Sequence, residues 1–145
     1  MKWKLWLVNK INAIATNSQY KYSGLTGKII NACFQVHNTL GNGFQELIYQ
    51  KALAIELKDN NLSFSREHEM TINYKGKKVD TRSVDLFIED KIMVKIKAVI
   101  KLEDIYLAQA INYLEAYKLE VGLLINFGAK SLEFKRLMKR KNQQP

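Results

Sequence analysis

Three charged residues, Asp85, Lys95 and Lys97, alternate with apolar residues in two short segments on either side of Glu89–Lys91. We predict that these segments are paired strands joined by a three-residue loop. That register pairs aliphatic side chains on one face: Ile88 with Ile92, Leu86 with Val94, and Val84 with Ile96. A slip of one residue would mix the two faces and bury a lysine. The pattern therefore predicts that Asp85 and Lys95 lie together on the other face, with Lys97 one step further along.

An aspartate beside two lysines has two interpretations. On a solvated sheet face, Asp85 and Lys95 form a cross-strand ion pair worth less than about 1 kcal/mol. However, Phe87 and Met93 share that face, which indicates that a helix covers part of it. In a partly covered site, an acid that binds a metal ion and a cation that stabilises charge on phosphorus or activates water are groups that phosphate chemistry uses.

The composition is typical of one globular domain. The chain has 145 residues, of which 47% are hydrophobic and 26% charged, and this balance argues against disorder. One cysteine excludes a disulfide framework and a thiolate zinc site, and two histidines exclude a His-rich metal centre. Any metal would need carboxylate ligands. No stretch has the apolar length of a membrane-spanning helix or of a signal peptide, so we expect a cytoplasmic protein.

The net charge of +9 is concentrated at the two ends of the chain. We expect a basic extension over residues 1–21, one domain over residues 22–137, and a basic tail over residues 138–145. These ends are either solvated or in contact with a polyanion. The bases that we predict to give salt-dependent affinity for nucleic acid are Lys135, Arg136, Lys139 and Arg140.

The spacing of apolar residues predicts the elements that hold these groups. Helices are expected at Ser23–Leu40, at about Phe44–Asp59 and at Ile105–Tyr117. Strands are expected at Phe64–Tyr74, Val84–Ile88, Ile92–Val99, Val121–Asn126 and Phe134–Leu137. The nearly continuous apolar run of the fourth strand is typical of a central strand covered on both faces. The order of elements predicts an α/β domain with a mixed sheet flanked by helices.

Three other groups of residues have structural interpretations. His37 is expected to form a hydrogen bond at the end of its helix, and Cys33 lies on the apolar stripe of that helix and is expected to pack in the core. A turn is predicted at Lys75–Gly76. The basic residues near this turn either contact phosphates or are those of an ordinary exposed hairpin: Arg66, Lys75, Lys77, Lys78 and Arg82.

Six short motifs follow one another between Tyr22 and Leu137. They are VHNTLG at 36–41, GFQELIY at 43–49, SVDL at 83–86, VKIKAV at 94–99, QAINY at 109–113 and GLLINFG at 122–128. Together they resemble the GxxExxY proteins of bacteria and archaea, a branch of the PD-(D/E)XK nuclease-like superfamily. The resemblance implies a single restriction-endonuclease-like domain and, more weakly, an activity.

The resemblance also implies a site for magnesium-dependent phosphodiester hydrolysis. Asp85, Glu46 and the backbone carbonyl of Ile96 match positions that hold the metal, and Lys97 matches the lysine of the (D/E)XK element. Three side chains match or adjoin positions that line the nucleic acid: Gln109, Tyr113 and Tyr49.

Lys95 departs from this pattern, because the family has a metal-binding acid at this position. Mg²⁺ requires oxygen ligands, whereas a protonated lysine cannot be a ligand and repels the ion. One charge pair at 4 Å is worth about 4 kcal/mol at an effective dielectric constant of about 20. Ile100 and Tyr106 also replace the glutamate and histidine that the pattern leads us to expect.

We therefore predict a protein that is impaired or inactive in metal-dependent cleavage. In this hypothesis, Lys95 pairs with Asp85 and Glu46 where the metal would bind, and Lys97 still holds a phosphate of nucleic acid, with DNA favoured over RNA. Two alternatives remain. One is an active magnesium-dependent DNA nuclease that uses Glu46, Asp85 and Lys97, and the other is a non-enzymatic protein-interaction domain.

Overall fold

The structure, a computed structural model, describes residues 20–139. The helices are α1 (Ser23–Leu40), α2 (Glu46–Asp59) and α3 (Asp104–Ala116). The strands are β1 (Phe64–Tyr74), β2 (Lys77–Ile88), β3 (Ile92–Lys97), β4 (Val121–Asn126) and β5 (Glu133–Met138). Most of the predicted basic extension and tail lies outside the described residues. The main differences from the predicted bounds are that β2 begins at Lys77 and that β3 ends at Lys97.

The five strands form one mixed sheet in the order β1-β2-β3-β4-β5. All neighbours are antiparallel except β3 and β4, which are parallel. Every residue of β4 is buried, because α1 and α2 cover one face of the sheet and α3 covers the other. The predicted mixed sheet with a buried inner strand at Val121–Asn126 is confirmed.

Each face of the sheet has its own apolar cluster. On one face, Ile29 of α1 and Leu53 of α2 pack with Leu86 and Ile96. On the other face, Leu114 of α3 belongs to a second cluster of buried residues that includes Val84, Met93 and Leu124. Burial of these side chains supplies the main stabilisation of the sheet, and it fixes which polar side chains remain near the surface.

The predicted register of β2 and β3 is confirmed for the three residue pairs nearest the loop, and the predicted pair of Val84 with Ile96 is wrong. Ile88 pairs with Ile92, and Leu86 with Val94, but the ladder ends there. Val84 does not pair with Ile96, because the two side chains lie in the clusters of opposite faces. Asp85 accounts for the difference, since its Oδ2 accepts the N–H of Ile96 at 2.6 Å. A side chain thus replaces the ladder where β2 separates from β3.

The β1–β2 hairpin is longer than its pairing with the rest of the sheet. Its turn, Lys75–Gly76, has φ angles of 51° and 74°, which suit a two-residue hairpin turn. The ladder of β1 and β2 reaches this turn, with a shift of register between Ile72 and Asn73, whereas β2 pairs with β3 only over its last three residues. The distal part of the hairpin therefore projects beyond β3.

Two predictions about helix α1 are supported. The ring of His37 lies 3.0 Å from the carbonyl oxygen of Ala129, so this residue links the end of α1 to the loop after β4. Cys33 is completely buried, and burial raises the pKa of its thiol above the usual value.

Among residues 20–139, no helix is long and apolar enough to cross a membrane.

Candidate functional site

The centre of the candidate site is the point where β2 separates from β3. There, Oδ2 of Asp85 accepts the backbone N–H of Ile96 and lies 3.6 Å from Nζ of Lys95. The side chains of Asp85 and Lys95 are 17% and 21% exposed, so the ion pair is neither free in solvent nor deeply buried. The predicted contact between Asp85 and Lys95 is confirmed.

An acidic cavity of about 620 Å³ opens beside Asp85. It is defined by three carboxylates: Glu46, Glu67 and Asp85. Glu46 is the first residue of α2, where the partial positive charge of a helix N-terminus stabilises a carboxylate. The predicted proximity of Glu46 to Asp85 is thus supported, since both side chains line one cavity.

Glu67 is the residue of this cavity that sequence reasoning missed. It lies between the Arg66–Leu86 and His68–Val84 pairs and therefore across from Asp85. Its φ angle is 50°, an uncommon value for a residue other than glycine inside a strand.

The carboxylate of Glu67 is held by two neutral donors. Gln50 Nε2 donates to Oε1 at 2.7 Å and Ser83 Oγ donates to Oε2 at 3.0 Å. The pKa of Glu67 is lowered, chiefly by the hydrogen bond from Gln50 and then by Ser83 and the positive charge of Lys95. Hydrogen bonds to the ionised form have this effect because they stabilise it relative to the neutral acid. Glu67 is therefore fixed as an anion on the wall of the cavity.

The two lysines of β3 line a separate lysine cleft of about 110 Å³ against α3. Nζ of Lys97 lies 4.5 Å from the ring centre of Tyr106, and Nζ of Lys95 lies 5.6 Å from that of Tyr113. Gln109 lines the same cleft. The Asp85–Lys95 contact joins the lysine cleft to the acidic cavity. The predicted acids and the predicted lysines are therefore adjacent, but they lie in two different recesses.

The prediction that Tyr49 contacts nucleic acid needs correction. Its side chain is completely buried and stacks on Phe127 with ring centres 4.6 Å apart. Its hydroxyl donates to the carbonyl of Gly41 at 2.6 Å and accepts the N–H of Phe44 at 3.2 Å. Tyr49 therefore has no surface for a ligand in this structure, and it holds the loop that precedes Glu46.

The predicted basic residues near the C-terminus have different environments. Lys135 on β5 and Lys139 after it are exposed, and Arg140 lies outside the described residues. Arg136 is half-buried, with its guanidinium 5.0 Å from the ring centre of Tyr20, and it donates to the backbone carbonyl of Lys21. Arg136 thus ties β5 to the start of the described chain, and Lys135 and Lys139 remain available to a polyanion.

The carboxylates of the acidic cavity, in the arrangement that the structure shows, do not fit a bound divalent metal ion. Over residues 20–139, no three His, Cys, Asp or Glu side chains are grouped as ligands. Oδ2 of Asp85 is engaged by the N–H of Ile96 and faces the ammonium group of Lys95. A cation at this oxygen would have to compete with a positive charge that already belongs to the chain.

Two comparisons with known proteins identify the fold. A family model described as the PD-(D/E)XK nuclease superfamily matches residues 23–137. The crystal structure of SSO0001 matches with a TM-score of 0.52 and 19% sequence identity, over 94% of this chain and 67% of that one. At this identity the likeness concerns the fold alone. No protein with a curated description matches the sequence. The predicted restriction-endonuclease-like α/β domain is confirmed.

Proposed function

This chain belongs to the PD-(D/E)XK nuclease superfamily, and we propose that it is a nucleic-acid-binding member that has lost metal-dependent phosphodiester cleavage. We further propose that it belongs to the GxxExxY branch, on the motifs described above. The observation that supports the loss of cleavage is the ammonium group of Lys95, 3.6 Å from Oδ2 of Asp85. Lys95 occupies the position at which the family pattern places a second acid.

The proposed loss of cleavage rests on the charge of Lys95. In PD-(D/E)XK nucleases, a divalent metal ion supplies charge stabilisation at the phosphate and activates water. Replacing an acid by Lys95 exchanges one negative charge for one positive charge within a few ångströms of Asp85. At an effective dielectric constant of about 20, each unit charge pair at this distance is worth about 4 kcal/mol. Lys95 therefore neutralises Asp85 from within the chain, and the site binds metal weakly.

Nucleic-acid binding is supported by the lysine cleft. The side chains that line it offer two ammonium groups, two tyrosine hydroxyls and the amide of Gln109, all of which can donate hydrogen bonds to phosphate oxygens. Asp85 offsets the charge of Lys95 but not that of Lys97. We propose that Lys97 binds a phosphate and that Gln109 and Tyr113 flank it, with DNA as the partner.

A cleavage assay tests the loss of activity. Wild type and Lys95→Glu are incubated with single- and double-stranded DNA in Mg²⁺ or Mn²⁺, with Lys51→Glu as a matched change on an exposed residue of α2. We expect no metal-dependent product from wild type or Lys51→Glu, and a slow metal-dependent product from Lys95→Glu. Metal-dependent cleavage by wild type would refute the proposed loss. If Lys95→Glu neither binds Mg²⁺ nor cleaves, the inheritance of a metal site at this position is wrong.

A binding assay tests the retained affinity. Fluorescence anisotropy of labelled DNA compares wild type with Lys97→Ala and with Lys51→Ala. We expect at least tenfold weaker binding for Lys97→Ala and no change for Lys51→Ala. Equal affinities of all three proteins would show that the lysine cleft does not bind phosphate.

Glu67 favours a second candidate function, metal-dependent cleavage, in which Glu46, Glu67 and Asp85 would have to move together, since they are not grouped as metal ligands in residues 20–139. It adds to Glu46 and Asp85 a third carboxylate on the wall of the acidic cavity. In this case, wild type cleaves DNA with Mn²⁺ and Glu67→Gln does not. The same assay therefore separates the two candidates.

A further inference from the structure

The distal part of the β1–β2 hairpin is a basic feature of residues 20–139 that the candidate site does not use. We define the hairpin arm as residues 70–82, which lie within the part of the hairpin beyond the pairing of β2 with β3. Its tip, residues 73–79, contains Lys75, Lys77 and Lys78 and no acid, and the one acid of the arm, Asp80, forms an ion pair with Arg82. Every residue from 73 to 79 is exposed, so these charges face solvent.

Exposed apolar side chains accompany these charges. Tyr74 and Val79 are 65% and 60% exposed, among the most exposed large apolar side chains in residues 20–139. Tyr74 pairs with Lys77 and Asn73 pairs with Lys78, so successive pairs direct a lysine to each face of the ribbon. Lys75 occupies the turn itself. Positive charge therefore surrounds the tip on both faces and at the end.

We infer that the hairpin arm inserts into the major groove of duplex DNA bound at the lysine cleft, so that the partner is a duplex and not a single strand. This inference rests on the proposed function and names its substrate class. The major groove of B-form DNA is about 12 Å wide and admits a two-stranded ribbon. Its walls carry phosphates, which suit an arm with lysines on both faces.

The base of the arm and the lysine cleft lie on the same side of the sheet. Met70 and Val84 pack in the cluster of α3, and α3 also supplies one wall of the cleft. Lys77 lies eight residues from Asp85 along β2, about 26 Å at ~3.3 Å per residue. At ~3.4 Å per base pair, this spans about eight base pairs. One duplex can therefore reach both features within a single helical turn.

Other polyanions fit the arm less well. Duplex RNA has a deep, narrow major groove that does not admit such a ribbon. A single strand offers no groove, so it would contact the cleft without engaging lysines on both faces of the arm. The preferred ligand is therefore B-form DNA of more than about eight base pairs.

The test measures binding by fluorescence anisotropy with three probes of 16 nucleotides per strand: single-stranded DNA, duplex DNA and duplex RNA. The arm variant carries Lys75→Ala, Lys77→Ala and Lys78→Ala. Its matched control removes three exposed lysines from α1 and α2, on the opposite side of the sheet: Lys28→Ala, Lys51→Ala and Lys58→Ala. A third protein replaces the three arm lysines by arginine, which retains the charge. Thermal unfolding verifies that each variant is folded.

We expect the arm variant to bind duplex DNA at least tenfold more weakly than the control variant, with unchanged affinity for single-stranded DNA. The plot of log affinity against log salt should lose about 0.9 in slope for each phosphate contact removed. The arginine variant should bind as wild type does. Equal duplex affinity of the arm and control variants would overturn the inference, as would equal losses on all three probes.

The two proposals fail in different ways. If Lys97→Ala weakens DNA binding but the arm variant does not, the role of the arm is wrong and the lysine cleft stands. If wild type binds none of the probes, the proposed nucleic-acid function is wrong and the inference about the arm is wrong with it.

Discussion

The ion pair of Asp85 and Lys95 can be measured by a double-mutant cycle on stability. The changes are Asp85→Asn, Lys95→Met and both together. At the observed 3.6 Å, Coulomb attraction is about 4–5 kcal/mol at an effective dielectric constant of about 20. The two side chains are about one-fifth exposed, and ion pairs in full contact with water contribute only about 0.2–1 kcal/mol. We therefore expect a coupling free energy of about 1–2 kcal/mol.

Urea unfolding of the four proteins gives this coupling directly. Asp85→Asn should cost more than Lys95→Met, because the aspartate also accepts the N–H of Ile96 at 2.6 Å and an amide oxygen accepts more weakly than a carboxylate. The coupling should persist at 0.5 M NaCl, since salt screens partly buried pairs less than exposed ones. A coupling below about 0.3 kcal/mol would refute the argument that Lys95 neutralises Asp85.

Three further predictions follow from other contacts. Tyr49→Phe should lower the free energy of unfolding by about 1–3 kcal/mol in urea, because both hydrogen bonds of a buried hydroxyl are lost, and an unchanged midpoint would contradict this role. The pKa of Glu67 is lowered in the folded chain, so its contribution to stability is complete above the ordinary glutamate value of about 4.3 and is lost as pH falls through the lower folded value. The stability difference between wild type and Glu67→Gln should follow that course, and a difference independent of pH would be the contrary result. Burial and the raised pKa of Cys33 predict that thiol reagents modify it only on unfolding, and rapid labelling of the native protein would be inconsistent with the packing.

The sequence predicted those parts of the fold that local periodicity determines. Helix α1 has the predicted bounds, and the apolar run of β4 correctly indicated a strand covered on both faces. Asp85 and Lys95 were correctly placed together, because a register that keeps apolar side chains on one face leaves few alternatives. The predicted Val84–Ile96 pair is wrong because the Asp85 side chain binds the N–H of Ile96 in place of a ladder hydrogen bond, and alternation of apolar residues does not reveal such a replacement.

Glu67 could not be found by the same reasoning. With a regular ladder continuing from the Tyr74–Lys77 pair, Arg66 would lie across from Asp85. The register shift between Ile72 and Asn73 moves the strand by one residue and brings Glu67 to that position instead. Such a shift depends on packing of the whole hairpin, and no local feature of the sequence marked it. The position of Tyr49 was missed for a related reason, since spacing from Glu46 does not reveal which part of the helix surface is buried.

Binding of Mn²⁺ to wild type, Lys95→Glu and Lys95→Glu/Asp85→Asn, measured by isothermal titration calorimetry, tests the central claim most directly. A carboxylate in place of the ammonium group should strengthen binding at least a hundredfold, equivalent to about 2.7 kcal/mol, and removal of the Asp85 carboxylate should abolish the gain. Equal affinity of wild type and Lys95→Glu for Mn²⁺ would contradict the claim that Lys95 is what keeps metal from this site.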